Sequence, residues 1–382
     1  MNPDSLPSSR ASAHLPARDL ILLPLIAVMT VVAMIGAAEI TSRIVFTSQE
    51  NDACIVPDAR LGLRYKPDCT SVTKSFESPW VTNHYNECGY RGDASCGPVA
   101  PDVRRVALLG SSLALGYLVP EQQSYAARTA EELTQRCHAP VQIQNLGGTL
   151  IFWTRVVNRV DDALRMKPAA GLLQISTYDL EHPDPGEGAE NGSNDAAQTR
   201  NILVKLQDVL KQTRTWSILQ HYLFQNQDFY LSLYLRSGSK SAYLREPLSP
   251  EWQARLRAFD TMLGKIAGRF DAAGVPLAVV FVPQRAQAEL AAEANRPADI
   301  YPYLINRALA KIAAAHGAAF IDTTQTIAQS NDVTGLYYAV DGHLDGKGQM
   351  LIAPPIVDGM IADMAPFRDC NAQQAASLSP AR

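Results

Sequence analysis

Concentrated positive charge is missing from this sequence. Its 382 residues contain 34 Lys and Arg against 38 Asp and Glu, for a net charge of −4, and no basic stripe is visible. Nucleic-acid-binding proteins usually carry such a stripe, so we expect no nucleic-acid partner. Internal repeats are also absent, and a composition of 47% hydrophobic and 19% charged residues is typical of a globular protein.

The cysteine and histidine patterns argue against the common metal sites. No Cys-X-X-Cys spacing occurs and the seven histidines are scattered, so we predict no metal and no cofactor. An even number of cysteines in an exported protein instead predicts disulfides and an oxidising compartment. The six cysteines are Cys54, Cys69, Cys88, Cys96, Cys137 and Cys370.

One apolar run, residues 20–38, is long enough to cross a membrane. At about 1.5 Å per residue a helix of this length spans roughly 28 Å, close to the hydrocarbon thickness of a bilayer. Arg10 and Arg18 precede the run, and basic residues favour the cytoplasmic side. We predict a cytoplasmic tail (1–19) and a single-pass anchor in the inner (cytoplasmic) membrane, with the rest of the chain in the periplasm or outside the cell.

A cleaved signal peptide is the alternative, because Gly36-Ala37-Ala38 offers a small-residue cleavage site. The apolar run is long for the core of a signal peptide, which favours the anchor. Both interpretations place the body of the chain outside the cytoplasm, in agreement with the cysteines.

Strand-like apolar runs alternate with helix-length segments beyond residue 103. The predicted strands are 104–110, 141–146, 170–176, 276–283 and 318–322, and the predicted helices are 122–135, 152–166, 250–273, 302–316 and 347–364. Helices between successive strands imply a parallel sheet with right-handed crossovers. We therefore predict an α/β fold, a flavodoxin-like three-layer αβα sandwich whose five-stranded parallel sheet has the order 2-1-3-4-5.

Two segments do not follow this alternation of strands and helices. Residues 49–102 are rich in Pro, Gly and Cys, and predict an irregular N-terminal module. Residues 181–249 interrupt the main domain (103–368) with an acidic Gly/Pro-rich stretch followed by aromatic-rich helices. The ordinary interpretation of the aromatic cluster is a small packed subdomain, and a lid or a surface resting on the membrane are alternatives. Residues 369–382 predict a flexible C-terminal tail.

The predicted sheet order suggests how the cysteines pair. Cys137 ends the helix after the first strand and Cys370 follows the last helix. In a 2-1-3-4-5 sheet these helices pack side by side, so their carboxyl ends can approach to the Cα distance of a disulfide, roughly 4.4–6.8 Å. We predict the pairs Cys137–Cys370, Cys54–Cys69 and Cys88–Cys96.

The most informative motif is the end of the first strand. An apolar run stops at Gly110 and is followed by Ser111 and Ser112, which predicts a hydroxyl at the carboxyl edge of the sheet, where open α/β sheets place their chemistry. Asp341 and His343 supply an acid and an imidazole two residues apart near the end of the chain. A serine with a histidine base and an acidic orienter is the pattern of nucleophilic acyl transfer.

Residues 58–365 resemble the SGNH/GDSL hydrolases, particularly their membrane-anchored or exported bacterial branch. The similarity is spread over several short blocks in the order that the family shows. These blocks are LGLRYKP at 61–67, TNHYNECGYRG at 82–92, LGSSLALGYLVP at 109–120, NLG at 145–147, YD at 178–179 and DGH at 341–343.

The resemblance implies a nucleophilic Ser112, a general base His343 and an orienting Asp341. Taken alone, Ser112 is better explained as an exposed turn or helix-capping serine. The alternative for the Asp341/His343 pair is a capped turn ahead of a helix. Ser111 is a competing nucleophile on the same loop.

The chain departs from the family at three positions. Ser111 stands where the family has Asp, Leu150 where a Gly is expected, and Tyr178 where an Asn amide helps to hold the oxyanion. A backbone N–H near Gly147–Leu150 or the Tyr178 hydroxyl could replace the missing donor. The predicted oxyanion or substrate-binding residues are Gly147, Leu150, Tyr178 and Asp179.

The serine motif and the family resemblance together predict an extracytoplasmic serine esterase or O-acyltransferase. The resemblance and the predicted location imply that it acts on acyl esters, acetyl esters above all, of cell-envelope or secreted carbohydrate. One alternative is a catalytically silent carbohydrate-binding or assembly protein on the same scaffold. Another is an anchored interaction protein that works through residues 181–249. The expected partners are an acylated carbohydrate or other small ester and, through residues 20–38, the lipid bilayer, whereas the oligomeric state is left open.

Overall fold

The computed structural model describes residues 17–149, 153–181 and 210–370. The strands are β1 (Ile55–Asp58), β2 (Gly62–Tyr65), β3 (Cys69–Thr73), β4 (Val81–Tyr85), β5 (Arg104–Leu109), β6 (Val141–Asn145), β7 (Ala170–Ile175), β8 (Leu277–Phe281) and β9 (Ala319–Asp322). The helices are α1 (Ala17–Val45), α2 (Ser112–Leu115), α3 (Tyr125–Cys137), α4 (Trp153–Arg165), α5 (Thr177–Glu181), α6 (Arg214–Phe224), α7 (Gln227–Arg236), α8 (Pro250–Ala272), α9 (Arg285–Ala292), α10 (Leu304–Ala315), α11 (Thr324–Ala328) and α12 (Gly346–Asp363).

Strands β5 to β9 form a five-stranded parallel sheet in the order β6-β5-β7-β8-β9. Counted from β5 this is 2-1-3-4-5, so the predicted sheet is confirmed. The five long helices of the main domain also lie within a few residues of their predicted positions. The short helices α5, α9 and α11 were not predicted, because five to eight residues carry too little periodicity to be distinguished from loops.

The sheet is buried on both faces, which makes the main domain a three-layer sandwich. Val106 and Leu108 of β5 pack into the core covered by α3 and α12. Ala107 and Leu109 point the other way, into the core covered by α4, α8 and α10. This alternation follows from the pleat of a strand, and burial on both faces explains why β5 is continuously apolar.

The N-terminal module consists of two antiparallel hairpins, β1–β2 and β3–β4. Arg91 joins this module to the main domain: its backbone bridges to Asn145 at the end of β6. Its buried guanidinium donates hydrogen bonds of 2.5–2.6 Å to the carbonyls of Leu115, Gly116 and Val119, just after α2. The module is therefore attached directly to the loop at the carboxyl edge of β5.

All three predicted cysteine pairs are present as disulfides. Cys137 and Cys370 have Cα atoms 4.2 Å apart; Cys137 is the last residue of α3, and Cys370 follows the end of α12. The pairs Cys54–Cys69 and Cys88–Cys96 close short loops in the N-terminal module. The long-range disulfide thus connects the first long helix of the main domain to the end of the described chain.

Helix α1 extends from Ala17 to Val45, beyond the predicted span 20–38. Its length and composition allow it to cross a membrane, and its apolar side chains are exposed. Past the apolar run, the Glu39 carboxylate accepts hydrogen bonds of 2.9 Å from the backbone N–H groups of Arg214 and Thr215. The end of α1 is therefore bound to the first turn of α6.

Only part of the predicted insertion 181–249 lies within the described residues, since 182–209 fall outside them. Helices α6 and α7 form its described part. Phe224 contacts the rings of Phe229 and Tyr230, and Tyr230 contacts Tyr234. This packing agrees with the predicted aromatic cluster.

Replacing both Cys137 and Cys370 with serine should lower the free energy of unfolding by about 5 kcal/mol, because closing a loop of this length removes much of the unfolded chain's entropy. Thermal denaturation followed by circular dichroism measures the loss. The Cys88→Ser/Cys96→Ser double variant is the control, since its sequence separation is 8 against 233 and it should lose about half as much. An equal or larger loss in the control would contradict this expectation.

Candidate active site

Ser112 lies where the chain turns sharply from β5 into α2. Gly110 has a φ of +150°, and a Cβ atom at this position would come within 2.8 Å of the Ala114 side chain. Only glycine therefore fits the turn without strain. Gly116 ends the helical turn in the left-handed conformation at φ +76°. These two glycines place Ser112 at the carboxyl edge of the sheet.

His343 lies in the loop immediately before α12. Two backbone hydrogen bonds of 2.9 Å close this loop into a tight turn. The N–H of Tyr338 donates to the carbonyl of His343, and the N–H of Gly342 donates to the carbonyl of Tyr338. Asp345 follows and caps α12, because its carboxylate accepts from the N–H of Gly348 at 2.8 Å. The same loop holds Asp341, so acid and imidazole share one rigid turn.

The predicted serine, histidine and aspartate are brought together. Ser112 Oγ lies 2.6 Å from His343 Nε2, and His343 Nδ1 lies 2.6 Å from Asp341 Oδ1. An ionised carboxylate only accepts hydrogen bonds, so Nδ1 carries the proton and Nε2 is left to accept from the serine hydroxyl. This is the tautomer that a general base for Ser112 requires.

The charge state of Asp341 fits that role. Burial raises the pKa of Asp341, but the charge of His343 and the hydrogen bonds from its side chain and backbone outweigh burial, so the pKa lies below its ordinary value. Asp341 is therefore ionised at neutral pH and stabilises an imidazolium at His343.

A cavity of about 730 Å³ opens over Ser112 and His343. Its volume lies in the range of small-molecule sites, on the order of 300–1,000 Å³. Tyr117 lies beside the imidazole, with 5.3 Å between the ring centres. Burial and the charges of Asp341 and Glu50 raise the pKa of Tyr117 to about 12, so its hydroxyl stays protonated. The lining residues from the N-terminal module include Asp52, Thr73, Asn83 and Tyr85.

Ser111, the competing nucleophile, has different partners. Its hydroxyl lies 3.5 Å from Gln174 Oε1 and also hydrogen-bonds to Asp179. Asp179 in turn accepts from the N–H and the hydroxyl of Ser176 at 2.7 and 2.8 Å. Burial raises the pKa of Asp179, against these hydrogen bonds. Ser111 therefore binds Asp179 near the β7–α5 turn, whereas Ser112 is the serine that contacts His343.

Besides Asp179, the predicted oxyanion or substrate-binding residues are Gly147, Leu150 and Tyr178, and each has a different outcome. Gly147 already donates its N–H to Asn145 Oδ1 at 3.0 Å, and a Cβ atom there would lie 2.5 Å from the Leu115 nitrogen, so it serves close packing against α2. Leu150 lies outside the described residues. Tyr178 lines the cavity with 57% of its surface exposed. A further donor is available at Ser112 itself, because the first N–H groups of a helix have no intrahelical acceptor.

Several functional residues were missed from the sequence. The N-terminal module supplies one wall of the cavity through Asp52, Asn83 and Tyr85. Its Glu77 also binds the loop that carries Asp341. The block at 82–92 was the one signal that could have placed Asn83 and Tyr85 near the site, whereas nothing around Glu77 stands out from an ordinary surface turn.

Among the described residues, no group of three or more His, Cys, Asp or Glu side chains could hold a metal ion. No protein-family model matches the sequence, and no curated protein matches it either.

Similar solved structures include a lipase/acylhydrolase from Enterococcus faecalis, with 14% identity, a TM-score of 0.37, and coverage of 69% of this chain and 98% of that one. TesA has 12% identity, a TM-score of 0.40, and coverage of 69% and 99%. The acetyl xylan esterase AlAXEase has 11% identity, a TM-score of 0.37, and coverage of 67% and 100%. Other similar structures are named as G-D-S-L or SGNH family members, the family that the sequence blocks resemble. At such low identities and TM-scores these similarities do not assign an activity to this chain.

Proposed function

We propose that the protein is a serine esterase or O-acyltransferase of the SGNH type, which cleaves or transfers an acyl group through an acyl-Ser112 intermediate. One observation carries the proposal. The contacts from Ser112 to His343 and from His343 to Asp341, each 2.6 Å long, lie at the edge of a cavity large enough for a small ester.

The geometry supports a two-step reaction. As Ser112 Oγ attacks the acyl carbonyl, His343 Nε2 takes the hydroxyl proton and Asp341 stabilises the resulting imidazolium. His343 then gives that proton to the departing alkoxide, which leaves as an alcohol. The acyl group remains on Ser112 as an ester. Water in an esterase, or an acceptor hydroxyl in a transferase, attacks the acyl-serine while His343 again acts as the base. His343 then returns the proton to Ser112 Oγ as the acyl–oxygen bond breaks, which restores the serine hydroxyl and releases the carboxylic acid or the new ester.

The oxyanion of each tetrahedral intermediate needs hydrogen-bond donors. We assign this role to the backbone N–H of Ser112 and to the hydroxyl of Tyr178, which occupies the family's Asn position and lines the cavity. Burial and the charges of Asp179 and Glu181 raise the pKa of Tyr178, so the hydroxyl remains protonated and can donate.

The proposed substrate is an acylated carbohydrate, acetylated above all. The cavity wall contributed by the N-terminal module carries Asp52, Thr73 and Asn83. Carboxylate, hydroxyl and amide groups of this kind bind the hydroxyls of a sugar. Ile55 and Leu63 of the same module, together with Val156 of α4, accommodate its apolar faces and the acyl chain.

The proposed location is the outer side of the inner membrane, with α1 as a single-pass anchor. The Glu39 contacts to Arg214 and Thr215 support this arrangement, because they attach the main domain to the end of α1. An enzyme held in this way reaches carbohydrate of the cell envelope or carbohydrate in the course of secretion.

The second candidate is a catalytically silent carbohydrate-binding or assembly protein on the same scaffold. Tyr178 in place of Asn favours it, because an enzyme that loses an oxyanion donor is typically ~10²–10³-fold slower. The two candidates differ in whether Ser112 is activated, and this can be measured directly.

Ser112→Ala should abolish both the hydrolysis of a small acetyl ester and labelling by a fluorophosphonate, which requires an activated hydroxyl. Ser111→Ala is the matched control on the same loop and should keep most of both activities, because His343 contacts Ser112. If the wild-type protein is not labelled by the fluorophosphonate and shows no esterase activity, the enzyme proposal is wrong and the silent binding protein is favoured.

Tyr178→Phe should lower kcat by about 100- to 1,000-fold, since it removes one oxyanion donor and leaves the backbone donor in place. Tyr178→Asn should retain more activity than the Phe variant, because the amide restores a donor. Steady-state kinetics with the same acetyl ester measures both effects. A Phe variant with wild-type kcat would show that Tyr178 has no part in holding the oxyanion.

A further inference from the structure

A buried carboxylate from the N-terminal module binds the loop that carries Asp341. The side chain of Glu77 is only 1% exposed. It accepts hydrogen bonds from the backbone N–H of Val340 at 3.0 Å and from that of Asp341 at 2.9 Å. It also lies 2.6 Å from Nδ1 of His221 on helix α6. Glu77 therefore contacts both the acid-bearing loop and the insertion.

We propose that Glu77 is a positioning residue for Asp341 and His343, and that His221 completes the contact from the insertion. The proposal rests on the esterase or acyltransferase function proposed above. Glu77 itself touches neither Ser112 nor His343 among the contacts described. Its effect on the reaction passes through the backbone of residues 340 and 341.

The backbone at these residues decides where the Asp341 carboxylate points. Asp341 accepts from both the ring and the backbone N–H of His343, so a rotation of the peptide before Asp341 would disturb both contacts. Glu77 binds the N–H of that peptide, which belongs to Asp341, and the N–H of the peptide before it, which belongs to Val340. A displacement of about 1 Å in a catalytic group is enough to cost on the order of 100-fold in rate.

A buried ion pair binds the residue that precedes Val340. Arg285 and Glu289 are 2.7 Å apart and almost fully buried. Arg285 donates to the carbonyl of Ala339 at 3.4 Å and to the carbonyl of Phe224, the last residue of α6, at 2.5 Å. The loop before His343 is thus bound at three successive residues, 339 to 341, and both Glu77 and Arg285 also contact α6.

Glu77 is itself held in one place. Its turn is closed by reciprocal hydrogen bonds between Ser75 and Ser78. The neighbouring Phe76 ring packs edge-on against His221 at 6.1 Å and under Arg214 at 5.1 Å. Burying a carboxylate is costly unless donors surround it, and the two backbone N–H groups and His221 provide them. A glutamine at this position would have one oxygen and one NH₂ group in place of two carboxylate oxygens. The NH₂ group would then face N–H donors and could accept no hydrogen bond from them.

Glu77→Gln in the full-length protein tests the proposal. We expect kcat for a small acetyl ester to fall by about 10- to 100-fold while KM changes by less than about 2-fold, because the substrate cavity is untouched and only the base is misaligned. Glu87→Gln is the matched control: Glu87 lies in the same module and accepts from Ser95 Oγ and the N–H of Cys96, away from the site. Its kcat should equal that of the wild type.

A spectroscopic measurement separates this proposal from the proposed function. The proton between His343 Nδ1 and Asp341 should give a low-field proton NMR signal in the wild type and in Glu87→Gln, and no such signal in Asp341→Asn. In Glu77→Gln we expect this signal to shift upfield or disappear. If wild-type protein neither hydrolyses esters nor reacts with a fluorophosphonate, the proposed function fails, and the NMR signal alone decides the positioning role.

An unchanged signal together with an unchanged kcat in Glu77→Gln would overturn the positioning role. If that variant does not fold, Glu77→Asp provides the same test, because it keeps the carboxylate but draws it away from the backbone N–H groups of Val340 and Asp341. A lower kcat with unchanged KM and melting temperature supports the proposal, and wild-type kinetics with an unchanged NMR signal contradict it.

Discussion

Parallel pairing of the five strands is the constraint on which the site depends. Because all five strands run in one direction, their carboxyl ends meet at a single edge of the sheet. Ser112 follows β5 at this edge and His343 precedes α12, so residues separated by 231 positions in sequence come within 2.6 Å. The Cys137–Cys370 disulfide joins the helices α3 and α12 on the same side of the sheet and strengthens this arrangement.

The N-terminal module is a structural part of the site. Arg91 binds it to the loop after α2 through three backbone carbonyls, Asp52 and Tyr85 line the cavity, and Glu77 holds the loop before His343. Each contact leads from the N-terminal module to the edge of the sheet. The module therefore forms one wall of the cavity and binds the loop that carries Asp341, while Ser112 follows a strand of the sheet.

The departures from the family pattern occur where the structure has rearranged its polar contacts. Ser111 hydrogen-bonds to Asp179 and lies near Gln174, so it links the loop after β5 to the β7–α5 turn. Tyr178 lines the cavity at the position of the missing amide, so a phenol hydroxyl takes over a donor role in the proposed mechanism. In that mechanism the Ser112–His343 pair depends on neither change, whereas the stabilisation of the oxyanion depends on Tyr178.

The sequence by itself determined the strands and the candidate residues Ser112, Asp341 and His343, because each leaves a local pattern. The order of strands and helices along the chain then predicted the sheet, and the sheet predicted which distant cysteines approach each other. Buried parallel strands are continuously apolar, and an acid two residues from a histidine is visible in the chain. Only the tertiary structure decided the roles of Glu77 and Gly147 and the extension of α1 beyond residue 38. These depend on contacts between segments far apart in sequence, such as Glu77 with Val340 or Glu39 with Thr215. A single buried carboxylate in an irregular turn has no periodicity or spacing that could reveal its partner before the chain is folded.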